Sequence, residues 1–396
     1  MIQISPETQL FIREHSSDDV RTLALQAKKY PDINMPTAIT QIAGRQVAAE
    51  KIPSWREIEE IWYPKHLSLE QCSSEITARY KARLFQGDSL IDLTGGFGID
   101  CSFLATGFKT ATYVERQEEL CEIAAHNFPI LNLNHINVRN EDGVAYLQSM
   151  SPVDCIFLDP ARRNEHGGKT VAISDCEPNV AELEALLLSK ANRVMIKLSP
   201  MLDLSLALKE LKHTQEVHIL SVNNECKELL ILLGQTSPAE IAIHCVNLFT
   251  KGTQEEQHFV FTREQEQRSQ CTYTDSLGDY LYEPNASLLK AGAFRSIAAA
   301  YPVRKLHPNS HLYTSDSFIE NFPGRIFRIA NQCSLNKKEV KENLADLKKA
   351  NVTVRNFPAT VAELRKRLHL TEGGDTYLFA STLNNGQKVI IRCEKV

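Results

Sequence analysis

From residue 89 to 235, short apolar runs of β-forming residues alternate with stretches of helical periodicity. The runs are SLIDL, TATYVE, INVR, DCIFL, RVMIK and VHILSV. Between them lie CSFLA, EELCEIAAHNF, VAYLQSM, NVAELEALLLSK and LSLALKELK. Such alternation predicts a parallel sheet covered by helices on both faces. The last pair breaks the rule. HILSV and ELLILL are separated only by NNECK, too short for a crossover helix, so they are expected to pair antiparallel. The pattern predicts a Rossmann-like α/β sheet of seven strands with an antiparallel last strand.

The flanks read differently. Residues 1–85 are helical in pattern: Ser5-Pro6 is a cap followed by proline at the first helical position, Ser17 can open DDVRTLALQAKKY, and TAITQIAGRQVAAEK and SSEITARYKARLF are further helices. Residues 240–270 offer two strands, IAIHCVNLFT and QHFVFT, followed by turn-rich, aromatic segments. The tail alternates helix, strand, helix, strand, an Asn385-Gly386 turn and a final strand, the pattern of a small ferredoxin-like α+β unit closed by a hairpin. Four segments are therefore expected: a helical 1–85, a sheet domain 86–238, a linking region 239–330 and the small unit 331–396.

Composition is that of an ordinary globular chain: 396 residues, 43% hydrophobic and 23% charged, with a net charge of −5. No global basic field points to nucleic acid. The tail differs, with 12 lysines and arginines against 7 acidic residues in 331–396, which suits a polyanionic partner or simply a solvated helix face. No apolar run reaches membrane-spanning length, and the N-terminus lacks the basic start and apolar core of a signal peptide. Ten cysteines are scattered without a CxxC pair; Cys101, Cys121 and Cys155 sit in apolar stretches. They read as buried thiols of a reduced, cytoplasmic protein, with no zinc or other metal framework. The intermittent apolar faces define no oligomeric surface.

The richest stretch is SLIDLTGGFGID. A strand ends at Asp92 and runs through Thr94, Gly95, Gly96, Phe97 and Gly98 into a helix that begins near Asp100. Glycine costs helix stability, about 1 kcal/mol against alanine, so a bare backbone here is expected to serve close approach to a ligand. A dinucleotide fingerprint fails, because its third glycine position holds Cys101, and Asp92 would repel a pyrophosphate. Asp92 suits a cationic group instead. Glu115 ends the second strand, where an acid takes both hydroxyls of a ribose. Asp142, or the N–H groups beside it, is placed to read an adenine edge after the third strand.

These residues resemble the class I S-adenosylmethionine-dependent methyltransferases, through IDLTGGFGID, YVE, NEDG and the LDPARR that follows the fourth strand. Outside 86–238, EPNASLLKAGAF, KLHPNSHLYTSD and the tail resemble a bacterial family of RNA methyltransferases with a THUMP-like C-terminal region. The resemblance implies S-adenosylmethionine as cofactor, held by Asp92, Thr94, Gly95, Gly96, Phe97, Gly98, Asp100, Glu115, Arg116, Asp142, Gly143, Asp159 and Pro160. It implies RNA as partner, since THUMP modules bind RNA in other enzymes.

The acceptor side departs from one branch of that family. Members acting on exocyclic base nitrogens carry an aromatic after the Asp-Pro, to stack a flipped base. Here Asp159-Pro160 is followed by Ala161, Arg162 and Arg163. Two arginines suit a phosphate or carboxylate, or pair with Glu165 or Asp175. Tyr80 is a further candidate for substrate contact. Lys81, Asp159, Lys197 and Glu225 resemble, in chain order, the Lys-Asp-Lys-Glu set of ribose 2′-O-methyltransferases; a rim ion pair between Lys197 and Glu225 is the plainer alternative. Ser73 reads as a helix cap. The expected function is methyl transfer to RNA, rRNA or tRNA. The alternatives are a methyltransferase of a small molecule or protein, and a non-catalytic RNA binder with a relic donor pocket.

Overall fold

The computed structural model describes residues 4–162 and 172–396. The chain forms two compact units, Met1–Gln215 with Leu229–Pro238, and Glu216–Glu228 with Ala239–Val396.

The first unit opens with α1 (Pro6–Glu14), where the Ser5 hydroxyl accepts from the Thr8 N–H and Pro6 needs no amide partner. Next, α2 (Val20–Leu25) begins at Asp19 rather than Ser17, because the Asp19 carboxylate accepts from the Thr22 N–H. Four more helices follow: α3 (Met35–Lys51), α4 (Pro53–Arg56), α5 (His66–Gln71) and α6 (Glu75–Leu84). The first three helices share a small apolar cluster of their own, Phe11, Ile12, Leu23, Met35, Ala38 and Ile42, but the segment as a whole is not closed off. Trp55, Ile61, Tyr63, Leu69 and Ala78 share one apolar cluster with Phe97, Ile99 and Ile123, so no core boundary falls at 85/86.

The alternating segment is β1 (Gly87–Asp92), α7 (Ile99–Ala105), β2 (Phe108–Glu115), α8 (Glu118–Ile130), β3 (Ile136–Asn140), α9 (Gly143–Ser149) and β4 (Val153–Leu158). A two-residue ribbon, β5 (Ala161–Arg162) with β6 (Cys176–Glu177), precedes α10 (Val180–Lys190), β7 (Ala191–Leu198), α11 (Leu204–Glu210), β8 (Thr214–Val222) and β9 (Glu225–Gly234). Strands β3, β2, β1, β4 and β7 are parallel and β9 runs antiparallel to β7; β8 and β9, joined by the short NNECK connection, lie side by side in the sheet. Asn223 and Asn224 turn that corner at φ 49° and 68°, the two left-handed positions of a tight hairpin.

The sheet has nine strands, not the expected seven, in the order β11-β10-β8-β9-β7-β4-β1-β2-β3. The additional pair, β10 (Ala242–Leu248) and β11 (Glu256–Phe261), comes from the segment expected to be a separate linking region. Strand β10 lies parallel to β8, and β11 pairs antiparallel with β10. The addition covers what would otherwise be a bare row of backbone donors and acceptors along β8.

The rest of the second unit is α12 (Arg263–Arg268), β12 (Tyr280–Pro284), α13 (Ala286–Ala291), α14 (Ser296–Ala300), β13 (Arg304–Lys305), β14 (Tyr313–Ser315), β15 (Gly324–Cys333), α15 (Lys337–Leu344), β16 (Asn351–Val354), α16 (Val361–Leu368), β17 (Thr376–Thr382) and β18 (Lys388–Lys395). Its seven-stranded sheet runs β13-β14-β12-β15-β18-β17-β16. Strand β15 spans the expected boundary at 330/331 and pairs with both β12 and β18, so the tail is part of this sheet. Helices α15 and α16 contribute Leu344 and Leu364 to one apolar cluster with Leu378, Ala380 and Ile390 of the sheet. No helix among the described residues is long and apolar enough to cross a membrane.

Candidate active site

The three glycines of the loop after β1 are bare for different reasons. A Cβ on Gly95 would lie 2.2 Å from the ring of Tyr113, which is fully buried on β2 beneath the loop. Gly98 adopts φ 87° at the start of α7, and a Cβ there would meet Phe128 at 3.1 Å. Only Gly96, at φ 53°, has open space beside it; the nearest neighbour of a Cβ is the Thr94 carbonyl at 3.8 Å. Gly96 is set by its left-handed φ and leaves open space beside the loop, while Gly95 and Gly98 answer to packing and to the turn. Phe97 is also a core residue, edge-on to Trp55 at 5.4 Å. A Cβ on Gly143 would run into the Leu93 carbonyl at 2.2 Å, so that glycine lets α9 close against the same loop.

Asp92 is 1% exposed. Its Oδ1 accepts from the Thr94 N–H at 3.0 Å, and its buried Oδ2 has no hydrogen-bond partner. Burial pushes its carboxyl well above the usual range, the Thr94 N–H opposes this, and Asp100, Asp159 and Glu115 push further the same way as burial. A buried carboxylate oxygen without a donor is costly unless a cation comes to it. Glu115 is differently placed. Its Oε2 takes the Gly96 N–H at 2.9 Å and its Oε1 the Gln117 N–H at 2.8 Å, which fixes the carboxylate and leaves each oxygen a further lone pair for a pair of hydroxyls. Asp142 is exposed and caps α9, its Oδ1 accepting from Val144 and Ala145 at 3.0 Å each. These features fit a ligand with a cationic head, a ribose and a base. Arg116 lies 3.6 Å from Glu177 on the surface.

Behind this loop lies a buried ionic cluster. Lys81, on α6, is 0% exposed and sits 3.0 Å from Asp100 Oδ1. Lys197, at the end of β7, stands 3.2 Å from Asp100 Oδ2 and 2.6 Å from Asp159 Oδ2. Ser73 joins them: its hydroxyl donates to Asp100 at 2.7 Å and accepts from Lys81 at 2.9 Å and Lys197 at 3.0 Å. Two ammonium and two carboxylate groups balance, which is the condition for burying such charge. Burial alone would raise the Asp100 carboxyl, but Lys81, Lys197 and the Ser73 hydroxyl together hold it well below its ordinary value. Asp159 is raised, since burial outweighs the pull of Lys197. Its side chain is 36% exposed against 10% for Lys197 and Asp100, so it is the member that opens to solvent. Its N–H donates to Thr94 Oγ1 at 2.6 Å, and Pro160 beside it is buried.

The structure thus brings Lys81, Asp159 and Lys197 together and puts Asp100, rather than Glu225, in the fourth place. Glu225 pairs with its neighbour Lys227 at 2.7 Å, with its side chain 73% exposed. Tyr80 is buried, with the Arg83 guanidinium over its ring at 5.0 Å. Arg162 lies on β5, and Arg163 falls outside the described residues. Sequence reasoning missed Ser73, which sits ahead of α6 and points inward, while Ser74 takes the cap position. The available signal was Lys81 itself, a lysine on the buried stripe of Thr77, Ala78 and Lys81.

Two family models match the C-terminal part of the chain: a ferredoxin-like domain over 280–323 and a THUMP domain-like region over 324–395. No curated protein matches the chain. Among solved structures, a provisionally assigned methyltransferase from Porphyromonas gingivalis W83 is 34% identical, covers 100% of both chains and superposes with a TM-score of 0.87. An rRNA methylase from Streptococcus thermophilus is 14% identical over 41% of this chain and 95% of its own, with a TM-score of 0.30. TrmK of M. capricolum, solved with S-adenosylhomocysteine, is 12% identical over 41% of this chain and 68% of its own, with a TM-score of 0.32. With a full-length relative at that identity, the chain belongs to the class I S-adenosylmethionine-dependent methyltransferase family, in the branch with a THUMP-like C-terminal region.

Proposed function

We propose that this protein transfers a methyl group to RNA. The observation that carries the reading is the orphaned Asp92 Oδ2, one loop away from a partly open Asp159. S-adenosylmethionine, when bound, supplies a methyl already activated by its sulfonium. Asp92 would receive the ammonium of its amino-acid head, Glu115 the ribose hydroxyls, and Asp142 or the N–H groups beside it the adenine edge. Gly96 leaves the room for that approach.

Asp159 is the group placed to meet the acceptor and to take its proton where the acceptor carries one. Its raised carboxyl makes it a better base than a solvated aspartate. Lys197 positions Asp159, and Asp100, Lys81 and Ser73 hold Lys197 in turn. Both lysines are turned inward against carboxylates, whereas the Asp159 side chain is the member that opens to solvent. That argues for carboxylate rather than lysine as base, a departure from the Lys-Asp-Lys-Glu scheme.

RNA is favoured as substrate by the THUMP-like region and by its charge. Helices α15 and α16 and the turn after α15 expose Lys337, Lys338, Lys341, Lys348, Lys349 and Lys366. Lysines spread over such a face suit a phosphate backbone, with affinity that falls steeply with salt. The test is transfer from S-adenosylmethionine carrying a labelled methyl to total RNA, with protein and small-molecule fractions counted alongside. Label in RNA supports the proposal. Label confined to protein or small molecules shifts the substrate class, and donor binding without any label marks a relic pocket.

A further inference from the structure

A second constellation lies away from the loop after β1, on the strands that enlarge the sheet. Glu216 and His218 are two residues apart on β8 and therefore share one face. His244 on β10 is the direct cross-strand partner of His218, and Ala242 that of Glu216. His258 on β11 pairs with Val246, two residues from His244, which puts its side chain on the same face again. The register thus gathers three imidazoles and a carboxylate from three neighbouring strands.

The distances are those of a ligand set. Glu216, His218 and His244 each offer one donor atom, and these atoms lie within 4.8 Å of one another. His218 Nε2 is 3.2 Å from Glu216 Oε2, close to the edge of a tetrahedron with zinc–ligand bonds of about 2.0–2.1 Å. The His218 and His244 rings stack at 4.3 Å, and His258 Nε2 lies 3.1 Å from His244 Nδ1. The His218 side chain is only 3% exposed, whereas Glu216 is 44% exposed, so the group is anchored below and open above.

We propose that Glu216, His218 and His244 form a binding site for one divalent transition-metal ion, zinc foremost, with His258 as an outer partner that orients His244. Two histidines and one carboxylate are an established zinc set with an open fourth position. Imidazole donors favour zinc, copper or nickel over magnesium or calcium. The bound ion would clip β8 to β10 and so fasten the added strands. The sequence conceals the site because its three ligands are 2 and 26 residues apart along the chain and the outer partner lies 14 further on, held together only by strand register.

The experiment uses the full chain, stripped with chelator and titrated with zinc sulfate by calorimetry, with cobalt(II) as a spectroscopic substitute. The expected result is one ion per chain, a cobalt spectrum of four-coordinate character, and a melting temperature that rises with zinc. His244→Gln should remove the uptake and the thermal shift. Glu216→Gln, at a half-open position, serves the same purpose should His244→Gln fail to fold. His258→Ala should weaken binding by about 10–100-fold, the usual effect of losing an outer partner. His15→Gln, remote from the group in sequence and in the other compact unit, should change nothing. No uptake by the parent chain, or uptake that survives both His244→Gln and Glu216→Gln, overturns the proposal.

Discussion

The ammonium of Lys81 is wholly buried and stands 3.0 Å from Asp100 Oδ1. The pair joins the helix that precedes β1 to the helix that follows the glycine loop. With Lys197 on the other oxygen, Asp100 neutralises two cations, one fully buried and one nearly so. Replacing Asp100 by Asn should therefore destabilise the protein by about 3–5 kcal/mol, the cost of leaving a buried charge uncompensated. Denaturant unfolding at pH 7 measures it; a loss under about 1 kcal/mol would contradict the geometry. The pH dependence has a definite sign. Because the folded carboxyl is held below its unfolded value, its stabilisation is present above about pH 4 and is lost as pH falls toward the folded value. Asp100→Asn should flatten the acid limb of the stability curve.

Asp92 titrates in the opposite sense. Its folded carboxyl lies well above the unfolded value, so its ionisation costs stability as pH rises from about 4 through the folded value. Asp92→Asn should raise the melting temperature of the ligand-free protein at pH 8. It should also weaken S-adenosylmethionine binding by about 10–100-fold, the worth of a charge-assisted hydrogen bond. Calorimetric titration beside thermal melts reads both effects, and they must move in opposite directions.

The two neighbouring glycines should fail in different ways. Gly95→Ala drives a methyl into the buried Tyr113 ring and should cost about 2–3 kcal/mol of stability. Gly96→Ala meets no neighbour but is strained at φ 53°, worth about 1–2 kcal/mol. Its larger effect should be on affinity for S-adenosylhomocysteine. Melting curves with and without that compound separate the two.

Asp159→Asn keeps the side-chain shape and removes the base. The expected loss in kcat is about 10²–10⁴-fold with little change in donor affinity. Lys197→Met should shift the acid limb of the pH–rate profile upward, since the cation that lowers Asp159 is gone. An unaltered profile would show that Lys197 does not tune Asp159.

Much of this was legible in the sequence. The βα alternation, the reversed last strand, the Asp92 and Glu115 strand ends and the closing Asn385-Gly386 turn follow from period, spacing and turn chemistry, all of which are local. What was not legible is decided between distant segments. Strands β10 and β11 join the sheet through an edge that no local pattern announces. Gly95 is glycine because of Tyr113, 18 residues on, and Phe97 is a core residue because Trp55 lies against it. Asp100 resembled a cofactor residue because it follows the glycines, but two lysines from far along the chain claim it.

The bond from the Asp159 amide to Thr94 Oγ1 ties the mouth of the first strand to that of the fourth. On the proposed function, a shift of the glycine turn on loading would be passed through this bond to Asp159. Loading and alignment are thereby geared to one another, and a Thr94→Val enzyme would be a machine whose two halves have come unmeshed.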